Sequence, residues 1–118
     1  MTIRLVEKAN EESTAILSVT FTDSGGALVV PQSATWTLSD GDNAVVNNRS
    51  NVEINPLAST VHIVLHGDDL KLPVPRERTR RVLVKAIYDS ATYGSDLPMN
   101  EEFEFTIVDL RSMNPPAV

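Results

Sequence analysis

Two histidines, His62 and His66, are the first residues whose type and spacing suggest metal chemistry. A separation of four residues lets two imidazoles on one helix bind the same zinc ion. The surrounding residues 60–66, however, alternate apolar and polar side chains, which predicts a β-strand. On a straight strand the two histidines share a face but lie about 13 Å apart. We therefore interpret both as solvated side chains and predict no metal site there.

A second candidate is acidic, because Asp40, Asp42 and Asn43 match the opening of a calcium-binding loop. The three apolar residues that follow have no side-chain oxygen where such a loop needs further ligands. Asp68 and Asp69 could join the first group in space, since loops at one end of a β-sandwich converge. Aspartate and asparagine also favour turns for backbone reasons alone. We interpret these residues as turn residues and predict no bound calcium.

The residues of a catalytic site are not recognisable in the sequence. It contains no Gly-x-Ser-x-Gly nucleophile motif, and its two histidines leave little choice of general base. The pair Gly25 and Gly26 precedes a predicted strand rather than a helix, so it does not form a phosphate-binding loop. We predict that the chain is not an enzyme and binds no cofactor.

Positive charge is concentrated in one segment of an acidic chain, whose net charge is -6. Arg76, Arg78 and Arg80 occupy alternate positions, so an extended segment would place all three on one side. We hypothesise that this basic segment docks onto an acidic partner, including another copy of the chain; the alternative is a solvated loop and strand edge. No aromatic residue lies between these arginines to stack on bases, which argues against nucleic acid. The basic segment comprises Lys71, Arg76, Arg78, Arg80, Arg81 and Lys85.

Length and composition favour one domain. The chain has 118 residues and no cysteine, so it can form no disulfide. It contains no uncharged apolar run of 18 residues, and no apolar core of a signal peptide follows Met1. We therefore expect no membrane contact and no secretion by a signal peptide. The expected location is the cytoplasm of the producing cell, or a particle assembled there.

Several segments show the period-two alternation of a strand with one buried and one solvated face. Trp36 and Tyr88 lie among small or apolar residues and are predicted to be core residues, whereas Tyr93 precedes Gly94 in a turn and is predicted to be exposed. A long connection is expected at residues 67–80 and a flexible tail at 111–118. The predicted strands are residues 2–7, 14–22, 27–30, 33–39, 44–47, 51–55, 60–66, 80–89 and 101–110.

This pattern of short strands separated by turn signals predicts an all-β protein. The turns at residues 23–26 and 40–43 are rich in Gly, Asp and Asn, as tight reversals require. In the last strand Phe103, Phe105 and Ile107 share one face, and polar residues occupy the other. We predict a single antiparallel β-sandwich over residues 1–110, with a small β-barrel as the alternative.

Two parts of the chain resemble known modules. Val82-x-Val84-x-Ala86-x-Tyr88-Asp89, followed by Gly94, and Phe103-x-Phe105-x-Ile107 resemble the last two strands of immunoglobulin-like and fibronectin type III-like sandwiches. Trp36 corresponds to the core tryptophan that such sandwiches often contain. The chain departs from antibody-type domains because it lacks both cysteines and has Tyr88 late in its strand.

Residues 33–41 and 45–47, together with residues 63–70, are similar to small immunoglobulin-like proteins of tailed bacteriophages. This resemblance implies a non-enzymatic structural or accessory protein of the virion head or tail. Its partners would be other protein subunits, in the virion or in a homo-oligomer, and its mechanism protein–protein docking. The alternative is a carbohydrate- or cell-surface-binding immunoglobulin-like module whose loops carry the site.

Overall fold

Two antiparallel β-sheets form the structure, and they pack face to face around one apolar core. The computed structural model describes residues 1–72 and 78–109. The strands are β1 (Thr2–Glu7), β2 (Thr14–Thr20), β3 (Ser33–Asp40), β4 (Val52–Glu53), β5 (Thr60–His66), β6 (Thr79–Ser90) and β7 (Gly94–Thr106), and a short 3-10 helix spans Gly67–Leu70. The predicted all-β sandwich is confirmed. Within the described residues, no helix is long and apolar enough to cross a membrane.

The sheets differ in width. One has three strands in the order β1-β2-β5, and the other has four in the order β4-β3-β6-β7. Because the strands separate into two sheets, the small-barrel alternative is not adopted. The hairpin of β6 and β7 is the longest element, with strands of 12 and 13 residues. The predicted start of the last strand at residue 101 is wrong: β7 begins at Gly94, and Pro98 pairs with Ile87 of β6 because its missing N–H faces the sheet edge.

The core follows from the alternation that the sequence shows. Every second residue of β2, β3, β5 and β6 is buried, including Trp36, at 7% exposure. Tyr88 is also buried, which confirms the prediction for both aromatic residues. Phe105 and Ile107 are buried, and the Phe103 ring packs against that of Phe105 with centroids 6.3 Å apart. The predicted apolar face of the last strand is therefore confirmed.

Two predicted strands do not form. Residues 27–30 and 44–47 each make one isolated bridge, Thr22 with Leu28 and Ser39 with Val45. In both cases the carboxylate of an aspartate in the preceding turn accepts backbone N–H groups that a longer β-ladder would use. The Asp23 carboxylate accepts the N–H groups of residues 25 and 27, and the Asp40 carboxylate accepts those of residues 42 and 44. Of the predicted connection at 67–80, residues 73–77 lie outside the described part, as does the predicted tail.

The two sides of the sandwich are closed to different degrees. On one side, the Glu11 N–H donates to the Val108 carbonyl (2.9 Å) and the Val108 N–H to the Ala9 carbonyl (2.7 Å), which links the chain after β1 to the chain after β7. On the other side, β4 and β5 border an open groove of about 450 Å³. The apolar part of this β4–β5 groove includes Trp36, Ile54 and Ile63.

Because Trp36 fills the space between the sheets, we expect Trp36→Ala to lower the free energy of unfolding by about 3–5 kcal/mol. Urea denaturation measures this loss. The matched control is Tyr93→Ala, whose side chain is 69% exposed and whose removal should change stability by about 0.5 kcal/mol or less. A loss below about 1 kcal/mol for Trp36→Ala would contradict the packing described.

Candidate functional site

The basic segment does not form one continuous charged face. Lys71, Arg78 and Lys85 are exposed, and Arg76 lies outside the described residues. Arg80, in contrast, is 2% exposed. The prediction that Arg80 shares an exposed side with its neighbours is wrong, because β6 begins at Thr79 and its even-numbered residues face the core. The Arg80 guanidinium donates to the carbonyls of Thr79 and Lys71, both at 2.9 Å.

Arg81 points outward, but its charge is balanced locally. Its Nε lies 3.0 Å from a carboxylate oxygen of Glu104 and 3.9 Å from one of Glu102, both on β7. Its Nη1 donates to the side-chain oxygen of Asn43 at 3.2 Å. The docking hypothesis for the basic segment stays a prediction, now resting on Lys71, Arg78 and Lys85 among the described residues.

Charge reversal should affect stability differently at the buried Arg80 and at the exposed Lys85. We expect Arg80→Glu to lower the free energy of unfolding by about 3 kcal/mol or more, because a carboxylate would face backbone carbonyls without water. Lys85→Glu should change it by about 0.5 kcal/mol or less. Thermal and urea denaturation of the two variants measure the difference. Equal stability of both would show that Arg80 is solvated.

The acidic turn residues meet at the same end of the sandwich, as the sequence suggested. Asp40 and Asp68 line one cavity of about 420 Å³, together with Lys71 and Arg80. The side chains of Lys71 and Arg80 carry positive charge, whereas a calcium site at this position would need further oxygen ligands. Among the described residues, no group of three His, Asp or Glu side chains could hold a metal ion. His62 and His66 are both exposed on one face of β5, so the prediction of solvated histidines is confirmed.

Asp69 does not line that cavity and is fully buried. Its carboxylate accepts hydrogen bonds from the Arg49 Nε (2.9 Å), the Asn47 side-chain amide (2.9 Å) and the His66 N–H (3.1 Å). The Arg49 guanidinium also lies over the Trp36 ring, 5.8 Å from its centroid. These contacts join the 3-10 helix, the loop before β4 and the core tryptophan, so the role of Asp69 is structural.

Burial by itself raises the pKa of the Asp69 carboxyl, but the hydrogen bonds from Arg49, Asn47 and the His66 backbone outweigh it and lower that pKa below its usual value. A carboxyl whose pKa is lower in the folded than in the unfolded state stabilises the fold above the unfolded pKa, about 3.9 for aspartate. This stabilisation is lost as the pH falls through the folded pKa.

We expect Asp69→Asn to lower the free energy of unfolding at pH 7 by about 2–4 kcal/mol, because it leaves buried donors facing an amide. The difference between wild type and variant should narrow as the pH falls below the unfolded-state pKa of about 3.9 and through the lower pKa of the folded carboxyl. Urea denaturation between pH 7 and pH 2.5 measures it. A difference that stays constant over this range would contradict the assigned role of Asp69.

The opposite end of the sandwich presents exposed apolar side chains on loops. Leu28 is 66% exposed and Val30 59% exposed in the connection from β2 to β3, and Tyr93 is 69% exposed at the tip of the β6–β7 hairpin. A cavity of about 230 Å³ between these two loops is lined by residues 23–25 and by Ser90, Thr92 and Tyr93. We refer to Leu28, Val30, Tyr93 and this cavity as the Tyr93 surface.

Local hydrogen bonds hold both loops in place. The Ser90 hydroxyl accepts the N–H groups of Thr92 (3.2 Å) and Tyr93 (3.0 Å). The Asp23 carboxylate accepts the N–H groups of Gly25 (2.9 Å) and Ala27 (3.0 Å). A surface that is ordered before binding loses less conformational entropy when a partner docks.

The sequence identified only part of this surface. Tyr93 was predicted to be exposed, and this is confirmed. Leu28 and Val30 were missed because residues 27–30 were assigned to a strand, which would bury alternate residues. The Asp23-Ser24-Gly25-Gly26 turn and the buried Pro31 bracket the loop and are the available signal.

In comparisons with known proteins, no protein-family model, no curated protein and no solved structure matches this chain.

Proposed function

We propose that this chain is a non-enzymatic immunoglobulin-like module, a structural or accessory protein of a phage particle, that acts by docking onto another protein. The strand order supports the module type. Lettered in chain order, β1-β2-β5 corresponds to strands A, B and E of immunoglobulin-type sandwiches, and β3-β6-β7 corresponds to C, F and G. The sequence resemblance to small phage proteins supports the setting.

The Tyr93 surface is the observation that carries the docking proposal. Single exposed apolar residues are common on any protein, but here three large ones lie on loops at one end of a rigid sandwich. Loops at the ends of such sandwiches are where these folds bind other molecules. Exposed tyrosine is also enriched among the residues that dominate protein interfaces.

The charges around this surface indicate the kind of partner. Asp23, Asp89 and Asp96 lie on the two loops and on the strands that lead into the hairpin tip, and Asp89 and Asp96 are exposed. The Asp89 carboxylate also accepts the Asp96 N–H at 3.0 Å, which fixes this part of the hairpin. Exposed apolar side chains on the same loops as acidic ones complement a protein surface that has an apolar patch bordered by Lys or Arg.

The test is whether the protein is present in purified particles of the phage that encodes it, and whether the Tyr93 surface holds it there. We expect Tyr93→Ala combined with Leu28→Ala to reduce occupancy of the particle at least about tenfold, as for the loss of a central interface contact. Val45→Ala, a 49% exposed valine in the loop after β3, is the matched control and should leave occupancy unchanged. Absence of the wild-type protein from the particles would overturn the virion proposal.

A second candidate is a carbohydrate-binding module, and the cavity beside Tyr93 is the observation that favours it. An aromatic ring next to the hydroxyls of Ser90 and Thr92 can stack on a sugar and bind its hydroxyl groups. A glycan array probed with the wild type and with Tyr93→Ala distinguishes the two functions. We expect no glycan signal; a signal that Tyr93→Ala abolishes would favour the carbohydrate function instead.

A further inference from the structure

We propose that two copies of the chain pair through the edge of β5 that no described segment occupies, antiparallel and about a two-fold axis that passes beside His62. This inference does not depend on the phage assignment. It follows from how the four edge strands of the described sheets differ, from the direction of the β5 backbone groups, and from the register that satisfies them.

Three of the four edges carry features that block pairing with another chain. The register of β1 is shifted by an irregularity between Leu5 and Glu7, and β4 contains only two residues. The edge of β7 contains Pro98, which lacks an N–H, and carries Glu101, Glu102 and Glu104 close together. Self-pairing there would bring carboxylates close to one another.

The edge of β5 has none of these features. Its seven residues, Thr-Val-His-Ile-Val-Leu-His, include no Asp, Glu, Lys, Arg, Pro or Gly. It pairs with β2 in continuous register from Thr60 to His66, without a bulge. Although the chain as a whole carries a net charge of -6, two β5 strands brought together would place no carboxylates or ammonium groups against each other.

Hydrogen bonds at both ends of β5 show which of its backbone groups are free. The Phe21 N–H donates to the Ser59 carbonyl (2.8 Å), and the Gly67 N–H donates to the Ser13 carbonyl (3.1 Å). Because bonding alternates along an antiparallel ladder, the odd-numbered residues of β5 bond to β2. The even-numbered residues therefore direct their N–H and C=O groups away from β2, toward an edge that no described segment pairs with.

The register follows from these free groups. The His66 N–H is already bound to the Asp69 carboxylate, which leaves complete donor and acceptor pairs at Thr60, His62 and Val64. An antiparallel pair with His62 opposite His62 of the second copy places Thr60 opposite Val64, and it forms six backbone hydrogen bonds. A register shifted toward His66 loses bonds because that donor is occupied. The two sheets then join into one, ordered β1-β2-β5-β5-β2-β1, with an isologous interface.

The second copy also covers apolar surface. The β4–β5 groove beside this edge is lined by Trp36, Ile54, Val61 and Ile63. The second copy would cover the opening of this groove. On the outer face, Val64 is 49% exposed and would be flanked by Thr60 of the second copy. Removing this surface from water adds a favourable contribution to the backbone bonds.

The test is the mass in solution by light scattering after size exclusion, over a range of protein concentrations. Wild type should reach twice 12.9 kDa as its concentration rises. His62→Lys and His62→Glu should each raise the dimer dissociation constant about 100-fold or more, because like charges would lie directly opposite each other. At concentrations where wild type is itself monomeric, both variants should keep the wild-type circular dichroism spectrum and urea midpoint, since the His62 side chain is exposed.

Mixing the two variants gives the sharpest outcome. Under two-fold pairing, the introduced ammonium group of one chain faces the introduced carboxylate of the other, so an equimolar mixture should regain the dimer mass. Thr2→Lys, an exposed position on β1, is the matched control and should dimerise like wild type. A wild type that stays monomeric at all concentrations would overturn the proposal, as would a dimer that neither His62 variant weakens. A mixture that stays monomeric would refute the His62 register.

Discussion

Two sheets bury their apolar faces against each other, and the short length of β4 opposite β5 leaves one side of this sandwich open. On the side of β1 and β7, the linkers after these strands close the sandwich through bonds to Val108. On the other side, β4 supplies only two residues opposite the seven of β5. Trp36 fills the core beside this opening, and the Arg49 guanidinium lies over its ring. An open edge and a groove are thus consequences of the strand lengths.

The two ends of the sandwich have different properties because their polar groups are used differently. At the end of the sandwich that contains the 3-10 helix, the side chains of Asp69 and Arg80 are buried. They form hydrogen bonds with the backbone and with neighbouring side chains. A buried charged side chain stabilises the fold only while its hydrogen-bonding partners are present. Substitution of Asp69, Arg80 or their partners is therefore expected to destabilise this end of the sandwich. At the other end, the bonds of Asp23 and Ser90 among the described residues are to their own loops, and Leu28 and Tyr93 are exposed there.

The alternation of side chains was enough to predict the sandwich, the pairing of its last two strands and the burial of Trp36, because apolar burial on one face is a local property of each strand. It missed the first half of β7, because residues 94–100 contain Gly94 and Pro98, which are typical of a loop. The prediction for Arg80 is wrong because it groups this residue with Arg76 and Arg78 in an extended connection, although the alternation of β6 puts it on the same face as Val82 and Val84. Residues 27–30 and 44–47 have strand composition, but the carboxylates of Asp23 and Asp40 hold their backbones in turns. The Tyr93 surface and the β5 edge, which no described segment pairs with, depend on strand order, which local sequence patterns do not encode.

The most direct test of this account is hydrogen–deuterium exchange of the β5 amides, resolved by NMR and repeated at low and high protein concentration. The amides of Val61, Ile63 and Leu65 should be protected at both concentrations, because they bond to β2. Those of Thr60, His62 and Val64 should exchange rapidly in dilute solution and become protected as the concentration rises. Amides of Thr60, His62 and Val64 that exchange equally fast at both concentrations would contradict the pairing of two copies through β5.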